Sequence, residues 1–329
     1  MSPLLDADLL LVGAGPAGLF GAYYAGFRGL RTVVVDALPE LGGQITAMYP
    51  EKLIHDVAGF PAVRGRDLVA GLIAQATPFS PTYLLGETAA ELRYADGLPE
   101  VHLSGGRAVR AKAVVITGGI GRFTPRPLPV GQEFHGRGLE YFVTRPEDHA
   151  RRDLVIVGGG DSALDWARAL HPLARSVTLV HRRERFRAHQ HTVDEVCRSP
   201  VRVLTDSEVV ALHGNGRVQA VDVAHRPSGA VRRLPADTVV AALGFVADLG
   251  PLRTWGLELR ARRIAVGTDM ATNLPRVYAA GDIVAYPGKV RLIASGFGEV
   301  ATAVNNAAVR IDPERALFPG HSTDAPVGG

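Results

Sequence analysis

Residues 9–36 read LLLVGAGPAGLFGAYYAGFRGLRTVVVD. The apolar run Leu9–Val12 has the length and continuity of a parallel strand buried on both faces. A glycine-rich turn follows, then a helix over about Pro16–Gly26 and a second apolar strand over Thr32–Val35. Gly13, Gly15 and Gly18 stand in the order GxGxxG across that turn. The first glycine permits the tight bend, the second lets the backbone approach a diphosphate, and the third lets helix and strand pack closely. Pro16 and Ala17 complete the turn, so the helix N-terminus is free to face an anion. Asp36 closes the second strand 23 residues after Gly13, where a carboxylate reaches ribose hydroxyls. This is the fingerprint of a dinucleotide-binding βαβ unit.

The pattern returns 145 residues later, in RRDLVIVGGGDSALDWARALHPLARSVTLVHRRERFRA. Leu154–Val157 and Val177–Val180 read as its strands, and Gly158, Gly160 and Ala163 fill the three fingerprint positions, with Asp161 and Ser162 opening the helix. The same count of 23 from Gly158 arrives at His181, followed by Arg182 and Arg183, with Arg187 close behind. A carboxylate would repel a ribose 2′-phosphate, whereas guanidinium groups bind one through charge-assisted hydrogen bonds. The first site is therefore expected to take a free ribose and the second an NADP-type ribose.

At 329 residues the chain exceeds one ordinary core, and its 47% hydrophobic and 21% charged residues are those of a globular protein. A formal charge of +3 is too small to argue for nucleic acid. Cys197 is the sole cysteine, which excludes an internal disulfide and cysteine-based metal sites and fits a reducing, cytoplasmic setting. Asp6 and Asp8 precede the first apolar run, unlike a signal peptide, and no apolar stretch approaches the roughly 18 residues of a membrane span. His189 and His191 stand two apart and share no helix face, so no metal is expected. The Gly- and Pro-rich segments 118–132 and 242–251 flank the second unit. The expected fold is α/β, with two Rossmann-like domains, one inserted in the other. Residues 1–118 and 249–329 would form the first domain and 119–248 the second, hinge segments included. Segment 82–110 is expected to add a small β-meander, and a helix is expected from about Gly298 to Arg310.

The motifs GAGPAG, LGGQ, GGGDSALDWA, HRRERFRA and YAAGD together resemble the thioredoxin-reductase-like flavoproteins over almost the whole chain. That resemblance implies FAD in the first domain and NADPH in the second. It implies that Asp36 holds the FAD ribose, that Asp282 contacts the ribityl chain, and that Gly43 and Gln44 lie near the cofactor. It also departs from the pattern at HGRGLEYFVTRPED (135–148), where Phe142 and Arg145 occupy the positions of a Cys-x-x-Cys pair. Without thiols, electrons cannot pass from flavin to a protein disulfide by that relay.

The segments GGQITAMYPEKLIHDVAGFPAVRG, KVRLIASGFGEVATAVNNA and FPGHST are similar to the branch of this superfamily that acts as ferredoxin–NADP⁺ reductase. There the C-terminal extension of one subunit of a homodimer covers the partner's flavin ring. The resemblance implies that His321 stacks on that ring, Thr323 bonds near it, Tyr49 stacks on its other face, and Phe123 and Ala89 contact FAD. It implies electron transfer between NADPH and ferredoxin or flavodoxin, with the flavin accepting hydride at N5 and releasing electrons one at a time. No acid–base residue is required. The arginines of LRARR (259–263) and VRR (231–233) are candidate contacts for an acidic partner. Two other readings stay open: a disulfide reductase acting on a separate dithiol protein, and a non-catalytic flavoprotein redox sensor.

Overall fold

A computed structural model describes residues 4–321. The chain divides into two compact units, one formed by Met1–Arg122 with Ala247–Gly329 and the other by Phe123–Val246.

In the first unit, five parallel strands make up most of a seven-stranded sheet. Thr82–Leu85, Thr32–Asp36, Leu4–Val12 and Ala108–Ile116 lie side by side, and Val277–Ala279 pairs with the last of them. Leu98–Leu103 and Ala89–Ala95 continue the sheet as an antiparallel meander. The expected meander is thus part of the main sheet, and residues 82–85 leave it to pair in parallel at the opposite edge.

The LLLV run shows why this sheet needs cover on both sides. Leu10 and Val12 enter a core with Val101, Trp255 and Ile264 on one face. Leu9 and Leu11 point the other way, into a core with Ala22, Ala25, Val300 and Val304 of the helices Pro16–Phe27 and Ile293–Ile311. Leu9, Leu10 and Leu11 are all fully buried. Truncating any of them to Ala would cost about 2–5 kcal/mol.

The helix Ile293–Ile311 begins five residues before the expected Gly298. Gly298 reads in sequence as the boundary, whereas the fold carries the helix back through Gly296. In the fold a Cβ at Gly296 would lie 3.5 Å from the Gly281 Cα and 3.7 Å from the Ala17 Cβ. Tertiary packing therefore accommodates a glycine that propensity disfavours.

The second unit carries a five-stranded parallel sheet, in the order Leu139–Glu140, Thr238–Ala241, Asp153–Val157, Ser176–Val180 and Arg202–Leu204. Helix Asp161–Leu170 connects two of these strands and buries Leu164, Ala167 and Leu170. The strands Ser207–His213, Ala220–His225 and Val231–Pro235 form an antiparallel sheet. Among the described residues no helix is long and apolar enough to cross a membrane.

Candidate functional site

The first site assembles where the parallel strands of the first unit end. Gly13 has φ +118°, and a Cβ there would come within 2.6 Å of the Thr117 carbonyl oxygen. A Cβ at Gly18 would overlap the Gly13 carbonyl oxygen, so strand and helix can approach only without it. Thr117 Oγ1 donates to that same carbonyl at 2.8 Å. Gly15 is different, because a Cβ there would meet nothing within 4 Å. It is the N-cap of helix Pro16–Phe27, with no side-chain cap and no acid in the first turn. Its uncapped N–H groups and the positive end of the helix dipole are arranged for an anion. Gly42 N–H donates to the Ala14 carbonyl at 2.9 Å, and a Cβ at Gly43 (φ +58°) would come within 2.9 Å of the Gly15 Cα. The LGGQ loop thus lies against the glycine turn.

Asp36 closes one end of this cradle. Ala14 N–H donates to its Oδ2 at 2.6 Å and Leu38 N–H to its Oδ1 at 2.8 Å, leaving acceptor capacity on both oxygens. Burial raises its pKa, opposed by those two N–H groups. Gly86 and Glu87 donate backbone N–H groups to Leu38 and Asp36, bringing the start of strand Ala89–Ala95 alongside. The Ala89 methyl is buried with Val35 and Leu84, so only its backbone could serve a ligand.

Toward the other end, a Cβ at Gly119 would come within 2.8 Å of the Gln44 side-chain nitrogen, which sets Gln44 over the end of strand Ala108–Ile116. A Cβ at Gly281 (φ +86°) would lie 3.5 Å from the Ala17 Cβ, so the Gly281–Asp282 turn sits beside the first turn of the glycine helix. Arg263 Nε donates to the Asp282 carbonyl oxygen at 3.1 Å, while the Asp282 carboxylate makes no hydrogen bond among the described residues. Tyr49 is half-buried, with its pKa raised by burial and then by Asp282 and Asp56. An open depression nearby is lined by His55, Asp56, Phe60 and Ala294. Helix Ile293–Ile311 also starts here without a side-chain cap or an early acid. Gly13, Gly15, Pro16, Ala17, Gly18, Asp36, Gly43, Gln44 and Asp282 are thus gathered around the ends of the parallel strands, where α/β sheets bind ligands, and Tyr49 ends the short helix that Gln44 begins.

Three expected residues of this site remain. Phe123 lies in strand Arg122–Pro125, and its side chain is outside the described residues, as is Thr323. His321 is exposed, with its ring edge-on to Phe318 at 5.2 Å. The segment leading to it is tied down by Arg28, whose Nη2 donates to the Ala316 carbonyl at 2.8 Å. Arg28 caps the C-terminal end of helix Pro16–Phe27, about 18 Å from its glycine-turn end at 1.5 Å per residue.

The second site repeats the arrangement in its own unit. A Cβ at Gly158 would overlap the Ala242 carbonyl oxygen, and Ala163 packs beneath, whereas Gly160 opens onto space and is the uncapped N-cap of helix Asp161–Leu170. Asp161 Oδ1 accepts the His189 N–H at 2.9 Å, and Ser162 is exposed. His181 lies buried beneath the loop, its ring where a Gly159 Cβ would be and stacked on Phe186 at 5.0 Å. Its Nε2 donates to the Arg185 carbonyl at 3.1 Å. Burial holds its pKa below the ordinary histidine value, with the Arg183 and Arg182 charges acting the same way. Arg187 N–H donates to the Gly159 carbonyl at 2.7 Å, which brings the arginine segment against the glycine loop. Arg182, Arg183 and Arg187 are exposed, and none of their guanidinium groups has a hydrogen-bond or ion-pair partner among the described residues. Where a dithiol would stand, Phe142 stacks on Phe245 (5.3 Å, 6°) and Arg145 forms a two-bond pair with Asp148. Cys197 is exposed and free on helix Gln190–Arg198. Among the described residues no group of His, Cys, Asp or Glu could hold a metal ion.

Sequence reasoning missed one feature of the first site. Glu299 is buried (6% exposed) and accepts from Gly281 N–H at 2.7 Å, from Tyr286 Oη at 2.5 Å and from Lys289 Nζ. The available signal was a carboxylate three residues after Gly296 and four before Ala303, on the small and apolar face of its helix.

The geometry defines a two-nucleotide oxidoreductase, and the chain belongs to the pyridine nucleotide-disulphide oxidoreductase family, which it matches over residues 7–307. It is similar to the ferredoxin–NADP reductase of Salinispora arenicola, with 66% identity over 97% of this chain and 99% of that protein. It is 61% identical to the protein of the same name from Nocardioides sp., over 97% and 98% of the two chains. Among solved structures, the T. acidophilum thioredoxin reductase superposes with a TM-score of 0.79 at 25% identity, covering 92% of this chain and 98% of that one.

Proposed function

We propose that the protein is an FAD-dependent ferredoxin–NADP⁺ reductase, exchanging electrons between NADPH and a one-electron carrier. The observation that carries this reading is a pair of open glycine cradles with opposite ribose-end charge, in a chain that has no thiol pair between them. Asp36 suits the ribose of FAD, while Arg182, Arg183 and Arg187 suit the 2′-phosphate of NADPH. Gly15, Gly43 and the uncapped helix Pro16–Phe27 would hold the FAD diphosphate, and Gln44, Tyr49 and Asp282 its flavin end. Bound FAD supplies the conversion between two-electron hydride chemistry and one-electron transfer, so two carrier molecules turn over per NADPH. The chain's own residues bind and orient the two nucleotides, and none need move a proton.

The disulfide-reductase alternative is disfavoured by Phe142 and Arg145, which are engaged in packing and an ion pair. A homodimer is supported by the C-terminal segment. Arg28 holds Ala316 at the end of the first helix away from the glycine turn, which favours a role for His321 at a partner subunit's flavin. A ferredoxin or a flavodoxin would satisfy the one-electron requirement, and a cytoplasmic setting would keep Cys197 reduced.

The test is cytochrome c reduction by NADPH with and without added ferredoxin. The reading expects a yellow protein, fast flavin bleaching by NADPH and strong stimulation by ferredoxin or flavodoxin. A colourless protein, or one whose NADPH oxidation instead tracks thiol release from thioredoxin, would overturn it.

A further inference from the structure

Glu299 and Lys289 form an ion pair almost wholly removed from solvent, with side chains 6% and 7% exposed. Burying two charges costs solvation that a well-packed apolar pair of the same size would not, so the pair contributes little to stability by itself. Its geometry points to another use. One carboxylate gathers three donors: the Gly281 N–H, the Tyr286 hydroxyl and the Lys289 ammonium. Gly281 opens the turn that carries Asp282, and a Cβ there would touch Ala17 of the glycine helix. Tyr286 and Lys289 belong to the loop that leads from this turn into helix Ile293–Ile311. Burial and the bond to Glu299 push the Tyr286 hydroxyl pKa up to about 12, so it remains a donor at any working pH.

We propose that Glu299 is a positioning residue that fixes the Gly281–Asp282 turn for the flavin end of FAD, with Lys289 present to aim the carboxylate. The inference rests on the FAD reading above. Glu299 touches no nucleotide; it acts by accepting the Gly281 N–H. A neutral amide at 299 retains one acceptor oxygen, but its NH₂ faces a donor and Lys289 loses its counter-charge. Removing Lys289 as well lets the amide oxygen take the Gly281 N–H while its NH₂ donates to the Tyr286 hydroxyl oxygen. An apolar pair fills the same space and leaves the Gly281 N–H without an acceptor.

The experiment compares Glu299→Gln, Glu299→Gln/Lys289→Met and Glu299→Leu/Lys289→Met. FAD affinity is measured by flavin fluorescence on titrating the apoprotein, alongside thermal melting and 2′,5′-ADP binding by the second unit. Glu299→Gln should weaken FAD by about tenfold or more, the cost of one unmade buried hydrogen bond. Glu299→Gln/Lys289→Met should recover to within about threefold of the parent, a recovery of about 0.7 kcal/mol or more on the same scale. Glu299→Leu/Lys289→Met should still fold, apolar packing offsetting the unmet Gly281 N–H, and bind 2′,5′-ADP normally, yet hold FAD at least about tenfold more weakly. Parent-like FAD affinity in that last variant would overturn the inference by reducing the pair to packing. If that variant does not fold, absence of recovery in Glu299→Gln/Lys289→Met overturns it instead. A parent protein that binds no FAD at all would refute the FAD reading, a result distinct from either.

Discussion

Replacing Arg182 and Arg183 together with Ala should strip the enzyme of its preference for NADPH while leaving its use of NADH intact. Both guanidinium groups are exposed and lack partners among the described residues, so no internal bond is lost with them. The whole effect should therefore appear in binding. A hydrogen bond to a charged group contributes about 1.5–3 kcal/mol, and solvent exposure argues for the lower end. Two such contacts to a 2′-phosphate come to about 3 kcal/mol, or roughly 150-fold in kcat/KM for NADPH at about 1.4 kcal/mol per decade. The assay is steady-state ferricyanide reduction with NADPH and with NADH, at a fixed ionic strength near 0.1 M because surface charge is screened. The NADH value should stay within about twofold and the melting temperature within about 2 °C, as for surface changes that break no contact. Equal losses with both nucleotides would show that the arginines shape the loop instead of reading the phosphate. No loss with NADPH would remove them from the site.

Gly15→Ala should fold normally, since a Cβ there meets nothing, but should weaken FAD binding at least about tenfold by filling the space of the diphosphate; Gly18→Ala, whose Cβ would overlap the Gly13 carbonyl, should instead lower the melting temperature of the protein itself. His181 and His149 both have pKa values lowered from 6.5, chiefly by burial. The unfolded chain then binds protons that the folded one resists, so stability should fall as pH drops through about 6.5 and rise with pH above the lowered folded values. Melting between pH 7.5 and 5.5 checks this, and replacing both histidines with Gln should flatten the slope. Cys197→Ser, or alkylation of the exposed thiol, should leave ferredoxin-dependent turnover unchanged. A loss of turnover would reopen a thiol mechanism.

Much of this molecule was legible in its linear order because the signals are local. A strand, a glycine turn and a helix within thirty residues define each nucleotide unit; the structure keeps those elements, with bounds close to the apolar runs except that the first strand begins at Leu4, five residues before Leu9. Asp36 and the Arg182–Arg183 pair declare the ribose-end charge at a spacing set by the βαβ unit alone. The absence of a second cysteine excludes a dithiol relay without any coordinates.

Chain closure supplied the rest. Gly298 looks like the helix boundary, but Gly296 packs against Gly281 and Ala17 within the same helix, which starts at Ile293. His181 reads as the residue that takes the ribose-acid position beside the arginines, yet the strand before it carries it under Gly159, where burial lowers its pKa. Glu299 reads as an ordinary helix carboxylate; it becomes the acceptor for a turn eighteen residues earlier because its helix folds back over the end of the sheet. Hydrophobic pattern and turn chemistry report what each segment is. Which polar group meets which backbone amide depends on how distant segments enclose a common volume, and no periodicity in the sequence encodes that.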